Sequence, residues 1–232
     1  MTDQAVPNPE RHPLHLGSLL LLGVLSTLLF APSIPWVFDS WLNAPYDHQG
    51  PLLALLAAVI AWQLRGQSPR PTLWLSTLFT VAAVLATLVG QAGGIQLVAS
   101  LGPPLLLIAL LRPGLKFWRQ PILVGMLALL ALPTAPLMLG QMLQNLNAGY
   151  LSTGVVVLWP LAGALLLGAA HPRRVRGFWI MLLLAWPLAR LCQGAVHWLG
   201  GGVLFGVVEG APALLALVAT LALLVWFGGG RR

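Results

Sequence analysis

Ala185-Trp-Pro-Leu-Ala-Arg-Leu-Cys-Gln-Gly-Ala-Val-His-Trp198 lies within an apolar segment, 177–199, long enough to cross a bilayer. It nevertheless holds Arg190, the single cysteine Cys192, Gln193 and His197. An ionisable side chain at the bilayer centre costs about 2.5–3.5 kcal/mol on insertion scales, so it is read by default as facing a bundle interior or a wet cavity. The rest of the chain follows from asking what scaffold makes this helix tolerable.

The 232 residues are 58% hydrophobic and 7% charged. A soluble domain carries about 25% charged residues, and so little polar surface cannot cover a soluble globule. The sequence therefore predicts an all-α, polytopic integral membrane protein. The net charge of +7 does not point to nucleic acid, because the basic residues fall in short loops between apolar runs, as the positive-inside rule requires. Membrane lipids are the expected partners. One cysteine excludes an internal disulfide and a cysteine-rich metal site. No phosphate-binding loop, metal-ligand cluster or internal repeat stands out, and no cofactor is expected.

Working outward, residues 1–13 form a polar, proline-containing arm. Eight apolar segments follow near 14–32, 51–64, 72–90, 94–111, 120–140, 151–170, 177–199 and 203–228, and a basic tail closes the chain at 229–232. Residues 14–228 thus make a single transmembrane domain. A span needs about 20 residues, so the second segment is short, and either tilts or extends back through Ala44. The first segment follows Arg11 like a signal peptide, but its length and the spans behind it predict a retained helix. Arg65 and Arg70, then Arg112, Lys116 and Arg119, then Arg173, Arg174 and Arg176 occupy alternate loops, while Arg11, Arg231 and Arg232 flank the ends. The intervening loops lack Lys and Arg, and one carries Asp39 and Asp47. This asymmetry predicts both termini in the cytoplasm. Every span from the fourth onward carries a proline, at Pro103-Pro104, Pro133 and Pro136, Pro160, Pro187 and Pro212. Each can kink its helix and open a cavity between bent helices.

Orientation gives depth. Arg190 stands about nine residues, roughly 13 Å, below the outer end of its span, and Glu209 lies roughly 10 Å below the same surface on the next. The two are placed to pair. Arg190, Gln193, Gly194 and His197 share one stripe at i, i+3, i+4 and i+7. Cys192 lies about 140° from His197, so Arg, Cys and His do not converge for thiolate chemistry, and Cys192 reads as a small apolar filler. On the outer side, Tyr46-Asp47-His48-Gln49-Gly50 offers His48 as a base or donor, or as a cap for the next helix. The loop Gln141-Met-Leu-Gln-Asn-Leu-Asn-Ala-Gly-Tyr-Leu-Ser-Thr-Gly154 is uncharged and rich in amides, with Ser152 and Thr153 reading as an N-cap pair.

Four stretches together resemble the exosortase/archaeosortase family. Trp41, Tyr46-Asp47-His48-Gln49-Gly50-Pro51-Leu52 and Ala61-Trp62-Gln63-Leu64-Arg65 are similar to its Tyr-x-His-Gly segment and the Trp-x-x-Arg that ends the following helix, with Gln49 inserted. Leu127-Ala-Leu-Leu-Ala-Leu-Pro-Thr-Ala-Pro136 resembles its apolar run ending in paired prolines. Leu151-Ser152-Thr153-Gly154 stands where the family has Ala-Cys-Ser-Gly, and Ala185-Trp-Pro-Leu-Ala189 resembles the lead into its Asn-x-x-Arg. The resemblance implies an eight-span transpeptidase scaffold that cuts C-terminal sorting signals at the outer face. Departures fall on the chemistry: Ser152 replaces the cysteine, Gln193 and Val196 stand at the Asn and Arg positions, and Val208, beside Glu209, stands where a histidine is expected.

Three functions compete. The favoured one is a non-catalytic relative with an outward polar cavity, rimmed by Asp47, Arg190, Gln193, His197 and Glu209, that serves envelope protein sorting or assembly. Its partner is then the apolar C-terminal tail of a secreted protein, or other membrane subunits. The second is a serine peptidase or transpeptidase in which Ser152 attacks, His48 or His197 takes the proton and Arg190 holds the oxyanion. The third is a small transporter, which the intramembrane Arg and Glu would suit.

Overall fold

A computed structural model describes residues 29–44, 46–65, 72–115, 117–142, 150–198 and 210–229. Among them every regular element is helical, apart from one isolated bridge between Gly114 and Phe117. A 3-10 turn, Ala31–Ser33, leads into α1, Ile34–Asn43. Then come α2 (Gly50–Leu64), α3 (Leu73–Ala92), α4 (Gln96–Ser100), α5 (Gly102–Leu110), α6 (Arg119–Leu130), α7 (Ala135–Met142), α8 (Tyr150–Ala170), α9 (Val175–Trp198) and α10 (Gly210–Gly228). The arm 1–13 and most of the first expected span lie outside the described residues, as does the tail beyond Gly229.

The core is built on α8, which packs against α6, α7, α9 and α10. It is apolar all round, as a helix buried on every side must be, with Val156, Leu158, Ala164 and Leu167 buried. Small residues set the close crossings that membrane bundles rely on. A Cβ on Gly163 would stand 2.5 Å from Thr220 and 2.7 Å from Met181. A second group, α3 with α4 and α5, joins the first through α6. The outward faces carry Leu85, Val89, Leu183, Val225 and Trp226, all exposed. So broad an apolar surface is one that lipid covers, and the chain is an all-α membrane protein.

Among the described residues, Leu73–Ala92, Val175–Trp198 and Ala211–Gly228 are each long and apolar enough to cross a membrane, and α6 with α7 makes a fourth if the bent pair counts as one span. Eight segments were expected. The second is a helix of 15 residues, about 22 Å long, which falls short of the roughly 30 Å hydrocarbon core. The fourth is divided at Leu101 into α4 and α5. With its first turn included, α8 has 21 residues.

The prolines act unequally. Pro133 lacks an N–H donor and disfavours helical backbone at Leu132, and α6 and α7 meet at 96° across residues 131–134. Pro103 and Pro104 fall in the first turn of α5, where a missing N–H costs little. Pro212 holds a similar place near the start of α10. Pro160 and Pro187 sit inside α8 and α9, which run on through them.

Loops that the charge pattern assigns to one side do meet at one end. The Thr72 amide donates to the Pro113 carbonyl at 3.1 Å, and the Arg119 guanidinium lies 5.3 Å from the centre of the Phe178 ring. The residue before α3 thus meets the loop between α5 and α6, and the start of α6 meets the start of α9.

Candidate functional site

The break between α6 and α7 gathers what the outer loop supplies. Residues 46–49 form a tight turn, held by the Asp47 amide on the Ala44 carbonyl and the Gly50 amide on the Asp47 carbonyl. This turn drives the Asp47 side chain inward, where it is 2% exposed. Ser40 Oγ donates to one carboxylate oxygen at 2.5 Å and the Thr134 amide to the other at 3.2 Å. Thr134 has φ 72°, a left-handed conformation rare for a β-branched residue. That backbone belongs to the residue just before α7, so Asp47 puts an acceptor at the positive end of a half-helix. Burial pushes the Asp47 carboxyl above its ordinary value, outweighing the opposing pull of Ser40, Thr134 and the nearby His48.

Trp41 seats α1 on the same break and against α2. Trp41 Nε1 donates to the Ala131 carbonyl at 2.9 Å, one of the carbonyls that the end of α6 leaves free. The indole lies so close to α2 that a Cβ on Gly50 would fall 2.0 Å from Nε1. Gln49 donates from its side chain to the Tyr46 carbonyl, which closes the turn on itself. Of this cluster the sequence singled out Asp47 and Trp41. Ser40 and Thr134 carried no signal, because their part is played through one hydroxyl and one backbone amide.

The start of α8 approaches the far side of the break. A Cβ on Gly154 would stand 1.8 Å from the Pro136 carbonyl oxygen and 3.0 Å from the Gly140 nitrogen. Ser152 lies two residues before this crossing, and its side chain falls outside the described residues. The helix begins at Tyr150, so Ser152 and Thr153 stand inside the first turn rather than at an N-cap. His48 is exposed. The expected capping role goes instead to the Asp47 and Gln49 carbonyls, which receive the Gly50 and Leu53 amides.

The polar stripe of α9 points elsewhere. Ala185, Ala189 and Cys192 are buried, and Cys192 belongs to the core as an apolar filler. Arg190 and His197 are exposed and Gln193 is half-buried. Of the two settings expected for Arg190, its exposure removes the packed bundle interior and leaves a wet cavity. At 100° per residue the small face that packs inward turns Arg190 away from it, and its guanidinium lies 5.7 Å from the centre of the Trp186 ring, one turn back. Such cation–π contact over an apolar stem is a common way to hold an exposed arginine. Glu209 lies outside the described residues.

A cavity missing from the sequence reading lies between α1, α2, α5 and α6. It has a volume of about 370 Å³, within the range of about 300–1,000 Å³ for ligand sites. Among the described residues its wall is apolar, with Phe38, Trp41, Ala57, Leu107 and Ala131 in it, and only Ser33 and Ser100 bring hydroxyls. Ser100 Oγ donates to the Leu97 carbonyl at 2.8 Å. Among the described residues Ser33 Oγ has no hydrogen-bond partner, although it is buried.

Comparison of the chain with family models yields no match, and comparison with curated proteins and with solved structures yields none either.

Proposed function

We propose that this chain is an exosortase-like multi-pass protein of the inner (cytoplasmic) membrane. In this reading it has eight spans and both termini in the cytoplasm, and it acts in envelope protein sorting or assembly without cutting its client. One observation carries the reading. Three of the four stretches that bear the resemblance meet at the α6–α7 break: Asp47 beside Thr134, the paired prolines themselves, and Gly154 against Pro136. Residues distant in sequence and alike to one family in type are thus neighbours in space. The state of Asp47 favours the non-catalytic form. A carboxylate that orients a histidine base bonds to its ring nitrogen, whereas Asp47 holds Ser40 and the Thr134 amide and, among the described residues, no histidine ring.

A serine enzyme is the second reading, favoured by the approach of the start of α8 to this same break. A transporter draws only on the discontinuous α6–α7 pair, a shape common where such proteins bind substrate. The test is to express the full chain with a secreted reporter that ends in an apolar C-terminal tail, and to follow both its size and its co-purification. The expected result is an uncut reporter that co-purifies. Cleavage abolished by Ser152→Ala would replace this reading with the serine enzyme. Neither cleavage nor association would remove both.

A further inference from the structure

We propose that the cavity between α1, α2, α5 and α6 binds one acyl chain of a lipid, with Ser33 Oγ donating to the carbonyl at the head of that chain. The inference is independent of the sorting role. It begins with the mouth of the cavity. Ile34 and Phe38 both line the cavity and remain 43% and 54% exposed. With Leu42, which is 74% exposed, they follow i, i+4, i+8 spacing and make one apolar stripe along α1. Asp39 and Asn43 lie on another side of the helix, joined by a hydrogen bond of 2.6 Å. A helix with one exposed apolar stripe and one polar side lies in the membrane interface, its stripe against the acyl boundary. The cavity therefore opens where lipid chains already stand.

Its chemistry narrows the occupant. Apolar side chains form the wall, and Ser100 is satisfied by its own helix. An extended peptide would bring an amide N–H and C=O with every residue, and each left unpaired in such a site costs several kcal/mol. A helical peptide satisfies its own amides but is about 10–12 Å across, and a volume of 370 Å³ holds about one turn of it. A hydrocarbon chain is slender and brings no amides. It also explains Ser33. This residue is 3% exposed and its hydroxyl has no partner, although a buried hydroxyl is usually paired. It stands in the turn just before α1, level with the start of the interfacial helix, where the carbonyl of an acyl group would lie. Esterified and free acyl chains share this chemistry.

The test uses the full chain reconstituted in phosphatidylcholine bilayers that contain a phospholipid with a diazirine near the middle of one acyl chain. Adducts are mapped by peptide mass spectrometry. Adducts should concentrate on α2 and α5 around Ala57 and Leu107. Competition by unlabelled phospholipid or by free fatty acid distinguishes the two sources, and either one supports the site. Ala58→Trp places bulk at an exposed lining position, outside the packed core, and should abolish the enrichment. Ser33→Ala should weaken saturable labelling about fivefold, the worth of one net hydrogen bond, while leaving folding intact because no protein partner is lost. Labelling spread evenly over outward residues such as Leu85 and Leu183, unchanged in Ala58→Trp, would mean annular lipid only and would overturn the proposal. Displacement by an apolar C-terminal tail peptide but not by either lipid would overturn it in favour of a peptide site. Unchanged labelling in Ser33→Ala would remove the hydroxyl from the recognition.

Discussion

Asp47 ties three elements with two oxygens, and its contribution can be separated from its charge. In Asp47→Ala the half-buried Thr134 amide loses its acceptor. The expected cost is about 1–3 kcal/mol, read as a lower midpoint of thermal unfolding in detergent. Asp47→Asn keeps an acceptor for Thr134 and lets Ser40 accept in place of donating, so it should hold most of the stability. The pair also differs in pH dependence. Burial raises the carboxyl of Asp47 above 3.8, so the folded state holds the proton more tightly than the unfolded chain. By linkage its stabilising contribution is complete below 3.8, declines as pH rises through the raised value, and is then absent. Unfolding midpoints followed from acid to neutral pH should show this decline in the parent and lose it in Asp47→Asn. An identical slope in both would place the titration on another group. Arg190 teaches a different lesson at this scale. Its identity was plain in the sequence, but the direction of its side chain followed from Ala185, Ala189 and Cys192 claiming the packed face of α9.

Among elements, the junction of α7 with α8 is governed by one missing side chain. Gly154→Ala puts a methyl into the Pro136 carbonyl, a backbone atom that cannot rotate aside. Overpacking of this kind costs about 1–3 kcal/mol. Gly194→Ala on α9 meets nothing within 4 Å, and replacing a helical glycine with alanine gains up to about 1 kcal/mol. Opposite shifts in unfolding midpoint are expected, and equal shifts would show that the α7–α8 crossing is looser than its geometry. The break that makes this junction was half legible. Pro133 announces a disturbed helix, but Pro160 and Pro187 make the same announcement and their helices continue. A proline removes one N–H donor wherever it falls. Whether the chain then turns depends on what catches the freed groups. At 131–134 Trp41 takes the Ala131 carbonyl and Asp47 takes the Thr134 amide.

The whole molecule is set by where charge is allowed. Eleven of twelve basic residues avoid the apolar segments, and at one end Thr72 meets the α5–α6 loop while the start of α6 meets the start of α9. If that end is cytoplasmic, single cysteines on a Cys192→Ser background should label asymmetrically. An impermeant maleimide should reach Asp39→Cys from outside in intact cells, and Arg112→Cys only after permeabilisation. The reverse pattern would invert the topology, and labelling of both from outside would end the alternate-loop scheme.

Hydropathy, charge asymmetry and helical period are local properties, so the sequence by itself determined the helical class, the membrane setting and the separation of Cys192 from the Arg190 stripe. The tertiary structure decided the rest. It fixed the 96° turn between α6 and α7, the partners of Asp47, the outward course of Arg190 and the acyl-sized cavity beside α1. The physical reason is that these features rest on backbone amides and carbonyls, and on the space between helices. Every residue but proline carries the same amide, so no residue type marks which one will be left free for a distant side chain to find.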